Sequence, residues 1–138
     1  MSAKDIFHNA VKKALEKEKW NITHDPLFIS FGGVEMYIDL GANRLIAAEK
    51  EREKIAVEVK SFLGASTISD FHSALGQFMN YQLALQQVEP DRVLYLAIPL
   101  DTYDSFFQLQ FIQLVIQNYQ IKLIIFEPTG EVIVQWRK

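Results

Sequence analysis

The amino-acid sequence predicts an α/β protein in which a mixed β-sheet is flanked by helices. Two observations favour this class. Three short apolar runs that are typical of strands follow a first helical segment, and the later strands alternate with helical segments. A chain of 138 residues is long enough for one hydrophobic core and short for two. We therefore expect one domain over residues 1–138, with the order α-β-β-β-α-β-α-β-β.

The first half of the chain predicts one helix and three strands. Apolar residues recur at helical spacing over residues 4–19, and the pair Gly32-Gly33 predicts a turn between two strands. The strands are expected at residues 27–31, 34–40 and 54–62. The segment 41–53 connects the second and third strands, and its charged run 49–53 is expected to form the solvent-facing tip of a hairpin.

The second half predicts two helices and three strands. The second helix has Thr67 or Ser69 as its N-cap and ends before Pro90. The remaining elements are expected at residues 92–99 (strand), 101–119 (helix), 121–127 (strand) and 131–136 (strand). Because residues 105–121 contain no charged side chain, we expect the third helix to be buried on more than one side. Part of that burial can come from a second subunit or a partner protein.

The composition excludes several classes of protein. A content of 49% hydrophobic and 22% charged residues is that of an ordinary globular protein. No apolar run reaches the roughly 18 residues that a membrane-spanning helix needs, and no secretory signal is expected. The absence of cysteine excludes disulfides and thiolate metal sites, which agrees with a cytoplasmic location. The net charge of −3 argues against a general nucleic-acid coat protein.

Charged residues occupy unusual positions in two of the predicted strands. Asp39 interrupts the apolar run 37–40, and Glu58 and Lys60 interrupt the run 55–60. Residues two apart on a strand point to the same face, so Glu58 and Lys60 are expected to project together. Burying an unpaired charge is costly, so such residues are paired, bound to a metal or placed at a rim. Two acids and a lysine that converge from neighbouring strands indicate metal-assisted cleavage of a phosphodiester.

The chemistry of these side chains suits a hydrated divalent cation. Mg²⁺ prefers oxygen ligands, and the carboxylates of Asp39 and Glu58 with the carbonyl of Val59 can supply them. Lys60 would orient the attacking water or stabilise charge on the phosphate. An alternative interpretation stays open, because an acid-x-lysine pair is also common as a surface ion pair that contributes under about 1 kcal/mol.

The pattern of Asp39, an 18-residue gap and then Glu58-Val59-Lys60 resembles the PD-(D/E)XK nuclease motif. Ile38 departs from it by standing where the motif has proline. Gln77 and Tyr81, four residues apart, resemble the Gln-x-x-x-Tyr motif of RecB-like members. This resemblance implies a restriction-endonuclease-like fold and a DNA endonuclease that depends on Mg²⁺ or Mn²⁺. It also implies that Gln77 and Tyr81 contact the DNA backbone or position the lysine.

Over its whole length the sequence is similar to the XisH family of controlling factors for excision of the fdxN element. The similarity is carried by residues 4–8, 20–27 and 56–62. It implies a role in programmed DNA rearrangement, alongside a recombinase and a partner excision factor. Two functions are therefore expected as alternatives: a metal-dependent deoxyribonuclease, or a non-catalytic accessory factor that keeps the nuclease fold for assembly.

Four further polar residues are expected to have structural roles. His8, His24 and His72 are not at the spacing of metal ligands, so turn and helix-surface positions are expected for all three. His8 and Lys12 share a helix face and could meet a phosphate group. Glu18 is expected to cap the first helix near solvent, with an accessory acidic role as the alternative.

Overall fold

The computed structural model describes residues 4–46 and 51–138. Their helices and strands are α1 (His8–Lys17), β1 (Asn21–His24), β2 (Leu27–Phe31), β3 (Val34–Ile38), β4 (Leu40–Ile46), β5 (Glu51–Val59), α2 (Thr67–Val88), β6 (Arg92–Pro99), α3 (Leu100–Asp104), a 3₁₀ turn (Phe106–Gln108), α4 (Gln110–Asn118), β7 (Leu123–Glu127) and β8 (Val132–Arg137).

A mixed sheet lies at the centre of the fold, as the sequence predicts. Its strand order is β1-β4-β5-β6-β7-β8. The three strands β5, β6 and β7 run parallel. Strand β4 pairs antiparallel with β5, β8 pairs antiparallel with β7, and the edge strand β1 pairs antiparallel with β4. Strands β2 and β3 form a separate hairpin whose turn needs positive φ, and Gly32 and Gly33 supply it with values of +60° and +85°.

Side-chain alternation along β5 divides the core between the two faces of the sheet. Ile55, Val57 and Val59 belong to the buried cluster that includes Val11 and Leu15 of α1. Ala56 points the other way and belongs to the cluster of α2, with Phe71, Ala74 and Phe78. Glu58 shares the face of Ala56, so its side chain lies on the α2 side of the sheet.

The observed order of elements departs from the predicted one. The expected strand over residues 34–40 divides at Asp39 into β3 and β4, and β1 is an additional strand. The expected connection over residues 41–53 is instead mostly strand, since the ladder of β4 and β5 extends to Ile46 opposite Glu51. Of the hairpin tip expected over residues 49–53, residues 51–53 belong to β5, and residues 49 and 50 lie outside the described part. Cross-strand bonds between long polar side chains, such as Arg44 to Glu53 at 2.9 Å, support strand structure in this charged segment.

The third predicted helix is also corrected. Residues 100–118 form two short helices and a 3₁₀ turn, because the backbone leaves helical geometry at Ser105 and Leu109. The helix α4 buries one face only. Its inward residues are Ile112, Val115 and Ile116, whereas Phe111 and Leu114 are 64% and 59% exposed. The expectation of burial on more than one side is therefore wrong for this chain on its own.

Helix α2 begins one residue earlier than expected. Its N-cap is Ser66, whose hydroxyl accepts a hydrogen bond from the Ser69 amide, rather than Thr67 or Ser69. In the described part of the chain, no helix has both the length and the apolar character needed to cross a membrane.

Candidate functional site

Asp39 occupies the one-residue break between β3 and β4, and this break aims its side chain at β5. The Leu40–Val57 register places Asp39 beside Glu58 and Val59. The amide of Val59 donates to Asp39 Oδ2 at 2.7 Å, and the amide of Asp39 donates to Glu58 Oε1 at 3.3 Å. These reciprocal bonds hold the two carboxyl groups that the sequence singles out against each other.

Lys60 lies directly beyond the end of β5, where the parallel pairing with β6 still orients the backbone. Its amide donates to the carbonyl of Ala97 at 3.0 Å. Its Nζ lies 3.8 Å from Glu58 Oε2, so the two side chains project together as the alternation predicts. The Lys60 side chain is 24% exposed and that of Glu58 is 7% exposed. The lysine therefore stands at the rim of the site, and Glu58 is buried below it.

Burial dominates the electrostatics of the acid pair. It raises the pKa of Glu58 to about 8, and the negative charge of Asp39 adds to the rise, while Lys60 and the Asp39 amide oppose it only in part. Burial also raises the pKa of Asp39, in spite of the hydrogen bond from Val59. Near neutral pH and without a cation, burial and mutual repulsion therefore favour retention of a proton by the pair.

Helix α2 carries the two predicted polar residues Gln77 and Tyr81, and Tyr81 is the one that reaches the acid pair. Burial, together with the charges of Glu58 and Asp39, raises the pKa of the Tyr81 hydroxyl to about 12. Tyr81 is thus near both carboxyl groups and stays a hydrogen-bond donor. One turn earlier, the side-chain oxygen of Gln77 is buried and has no partner among the described residues. The helix therefore adds one hydrogen-bond donor, the Tyr81 hydroxyl, beside the acids.

The donor set fits a divalent cation that keeps most of its waters. The backbone bonds leave Asp39 Oδ1 and Glu58 Oε2 available as ligands. Across residues 4–46 and 51–138, no three histidine or acidic side chains converge with the geometry of a metal site. Two carboxylates with waters are the usual protein contribution to Mg²⁺, and a cation would relieve their repulsion. The Val59 carbonyl as a third ligand stays a prediction.

Sequence reasoning missed a buried cluster at the start of α1. His8 is 3% exposed rather than on the helix surface. Its Nε2 lies 2.7 Å from Asp25 Oδ1, and Lys12 Nζ donates to Asp25 Oδ2 at 2.9 Å. The shared helix face of His8 and Lys12 was the available signal, but their common partner is remote in the chain. In contrast, His24 and His72 are exposed, as expected.

Glu18 lies at the opposite end of α1 from His8. It accepts a hydrogen bond from the Trp136 indole at 2.9 Å and is the C-cap residue of the helix. The structure therefore gives Glu18 a packing role and does not bring it to the acid pair.

Together, the fold and the site define a mixed α/β protein with a buried acid pair and a rim lysine at the carboxyl end of a central parallel strand. The model of the XisH protein family matches residues 1–134, and the chain belongs to that family. A solved XisH family protein from Nostoc punctiforme PCC 73102 is 54% identical, with a TM-score of 0.89 over 97% of this chain and 100% of that chain. An fdxN element excision controlling factor protein from Anabaena variabilis is 53% identical, with a TM-score of 0.89 over 98% of this chain and 100% of that one. A comparison with curated protein sequences gave no match.

Proposed function

We propose that this protein is a metal-dependent DNA endonuclease-like factor that controls excision of a DNA element. The observation that carries the proposal is the buried pair of Asp39 and Glu58 with Lys60 at its rim. The name of the Anabaena variabilis relative, an fdxN element excision controlling factor, supplies the biological context. Such a factor would act on DNA in the cytoplasm, beside a recombinase and a partner excision factor.

The proposal includes membership of the PD-(D/E)XK superfamily. In support of it, Asp39 directly before β4 faces Glu58 near the end of the antiparallel strand β5, and Lys60 follows two residues after Glu58. The next helix, α2, carries Gln77 and Tyr81. This arrangement was expected from the spacing of the motif. The extra strand β1 and the divided strand at Asp39 are additions to that core.

Each residue of the site has a chemical task in this proposal. A bound Mg²⁺ or Mn²⁺ would polarise the scissile phosphate and lower the pKa of a bound water. Asp39 and Glu58 hold that cation, and Glu58 gives up its proton when it does so. Lys60 donates hydrogen bonds to the phosphate oxygens from the rim, where it is partly exposed.

The residues of α2 are proposed to hold the DNA rather than to react with it. The hydroxyl of Tyr81 stays protonated and can donate to a phosphate oxygen. The side-chain nitrogen of Gln77 is the group that can donate to the same backbone. These are sequence-independent contacts that fix the position of the strand.

A second function is favoured by a different observation. The apolar surface of α4, formed by Leu109, Phe111 and Leu114, has exposed fractions of 54%, 64% and 59%. Exposed apolar groups of this kind are typical of protein interfaces. The alternative is therefore an accessory factor of a recombination complex, which keeps the nuclease fold but assembles with another copy or with a partner protein.

A combined binding and cleavage experiment separates the two functions. Wild-type protein should be stabilised thermally by Mn²⁺ or Mg²⁺ and should nick or cleave plasmid DNA, and EDTA should abolish both effects. Asp39→Asn should lose both, while Glu35→Gln, which alters an exposed carboxylate on β3, should keep both. Metal binding without cleavage on any DNA form would favour the accessory factor. No metal-dependent stabilisation would contradict the proposed site.

A further inference from the structure

The basic side chains of the second half of the chain meet at one place. Residues 61–138 contain four of them, and all four line two adjoining cavities. The larger cavity, of about 360 Å³, is lined by Lys122, Arg137 and Lys138, and the smaller one by Lys122 and Arg92. None of the seven acidic side chains of this segment, all of which the structure describes, lines either cavity. Because the chain carries a net charge of −3, this local excess of positive charge does not follow from composition.

The three basic side chains of the larger cavity have no counter-charge among the described residues. Lys122, Arg137 and Lys138 make no ion pair there, whereas most of the other basic side chains do. Arg92 is one of the paired residues, since it binds Glu89 at 2.7 Å and serves as a wall of the smaller cavity. Like charges that share a cavity repel each other, and a bound anion removes that repulsion.

The backbone and a tyrosine fix the two inner cations relative to each other. Lys122 directly precedes β7, and its carbonyl accepts a hydrogen bond from the amide of Leu96 at 2.9 Å. The next residue, Leu123, pairs with Arg137 of β8. The guanidinium of Arg137 lies 5.9 Å from the ring centroid of Tyr103 and donates to its hydroxyl at 3.1 Å. A guanidinium has five N–H donors, so this one is oriented by the tyrosine and keeps donors for a ligand.

Gln120 lies where the two cavities meet, since its side chain lines both. It follows the end of α4 with a φ of +53°, a left-handed conformation that helices usually give to glycine at this point. The amide of Ile121 donates to the carbonyl of Ile116 at 3.0 Å and closes the turn. Glycine would adopt this backbone more easily, but it would remove an amide group from the junction. The glutamine therefore adds a neutral donor beside the fixed cations.

The cavities are separate from the acid pair. Arg92 pairs with Lys54 of β5, and Glu58 lies four residues further along that strand. At about 3.3 Å per residue, the acid pair is about 13 Å along the strand from the wall of the smaller cavity. Neither acid nor Lys60 lines these cavities, so binding here is independent of the proposed cleavage.

We infer that Lys122 and Arg137, together with Lys138 and the amide of Gln120, form a binding site for a phosphate group. A guanidinium can bind two phosphate oxygens at once, and an ammonium adds a point charge beside it. The volume of the larger cavity is in the range of small-ligand sites. Two sources carry this chemistry, a free nucleotide and the backbone of a nucleic acid, and the cavity holds the phosphate in both cases.

Isothermal titration in EDTA and at low salt tests the site with three probes: pyrophosphate, adenosine triphosphate and a short single-stranded oligonucleotide. EDTA keeps divalent metals away from the acid pair. Lys122→Gln and Arg137→Gln each remove one positive charge from the cavity, and Lys122→Arg keeps the charge. Lys13→Gln is the matched control for the loss of one charge, because Lys13 is 61% exposed and lies outside both cavities.

We expect Lys122→Gln and Arg137→Gln to weaken phosphate binding by about 10- to 100-fold, the range for a hydrogen bond to a charged group. Lys122→Arg and Lys13→Gln should bind like the wild type. Bound pyrophosphate and adenosine triphosphate that the oligonucleotide does not displace would identify a free nucleotide as the source. Displacement by the oligonucleotide, or oligonucleotide binding alone with the same loss in the two variants, would identify the nucleic-acid backbone.

A purely structural role of the cations gives a different result. Positive charges near the end of α4 stabilise the negative end of its dipole, so Lys122→Gln would then lower the urea midpoint and leave phosphate affinities equal to those of Lys13→Gln. That outcome, or a wild type that binds none of the three probes, overturns the inference.

A measurement on the unaltered chain covers the case in which a variant does not fold. The probe that binds should shift the backbone amide signals of Gln120, Ile121 and Lys122 in the NMR spectrum of the wild type. Binding without a shift of these signals places the phosphate elsewhere and overturns the inference. The proposed Mn²⁺-dependent cleavage is measured without EDTA and through Asp39, so its failure is seen separately.

Discussion

Replacing Glu58 with glutamine should stabilise the metal-free protein at alkaline pH, although it removes a residue proposed for the active site. Burial raises the pKa of Glu58 from 4.5 to about 8 in the folded chain. Between these two pH values the unfolded chain has released its proton and the folded chain has not. The unfolded state then binds fewer protons, so the stability of the wild type falls as pH rises through this range.

The size of this effect follows from the interval between the two pKa values. One pKa unit corresponds to about 1.36 kcal/mol, so the interval from 4.5 to about 8 amounts to about 5 kcal/mol at high pH. Glu58 is 5% exposed, so solvent screens little of it. A glutamine amide must also be buried there, and Lys60 loses its neighbour. These two costs do not depend on pH, so we expect Glu58→Gln to be more stable than the wild type by about 2–3 kcal/mol at pH 8.5 and less stable by about 1–2 kcal/mol at pH 5.

Urea unfolding in EDTA at pH values from 5 to 9 measures this difference. The wild-type stability should decline relative to that of Glu58→Gln as pH rises, while the control Glu35→Gln should follow the wild type. Adding Mn²⁺ should then reverse the order, because the cation stabilises the wild type and not the variant. Parallel curves in EDTA, or a variant that is less stable at pH 8.5, would refute the reasoning that burial raises the pKa of Glu58.

The remaining predictions concern the proton, the lysine, the tyrosine and the interface. At pH 7, Mn²⁺ binding to the wild type should release about one proton, and binding to Glu58→Gln should release none. The released proton makes the heat of titration depend on the ionisation enthalpy of the buffer, so equal wild-type heats in all buffers would contradict this prediction. Lys60→Ala should keep its Mn²⁺ affinity and lose about 10²- to 10³-fold in plasmid cleavage, and a wild-type rate would exclude its role. Tyr81→Phe should keep its Mn²⁺ affinity and weaken DNA binding by up to about tenfold in a gel-shift assay, since one hydrogen bond contributes about 0.5–1.5 kcal/mol; unchanged binding would remove Tyr81 from the DNA contact. Leu114→Glu should fold and give a smaller particle than the wild type in light scattering, whereas the buried control Ile116→Glu should unfold. A wild type that is itself monomeric in this measurement would contradict a homo-oligomer.

Much of the site followed from strand alternation, which is a local property. The two-residue spacing predicts that Glu58 and Lys60 share a face, and in the structure they lie 3.8 Å apart. A charge inside an apolar run singled out Asp39 in the same way. The predicted ends of elements were less accurate, because Asp39 leaves the ladder to reach β5 and the polar residues beyond it continue as strand.

The third helix shows where local composition misleads. Seventeen residues without a charge predicted one long buried helix over residues 101–119. The chain instead turns at Ser105 and Leu109, and α4 packs only one face on the core. An uncharged segment can be exposed when it meets no other element, and which elements meet depends on the whole topology.

The sequence by itself determined the mixed α/β class, the shared face of Glu58 and Lys60 and the family resemblance. These follow from periodicity and spacing, which depend only on residues that are near each other in the chain. Only the tertiary structure decided how deeply these side chains are buried and which groups they contact. Asp25 meets His8 across 17 residues, and Val59 meets Asp39 across 20. The pKa of Glu58 rises because folding buries its side chain and places the charge of Asp39 beside it. Burial and partners of this kind arise from contacts between distant segments, so they become defined only when the chain has folded.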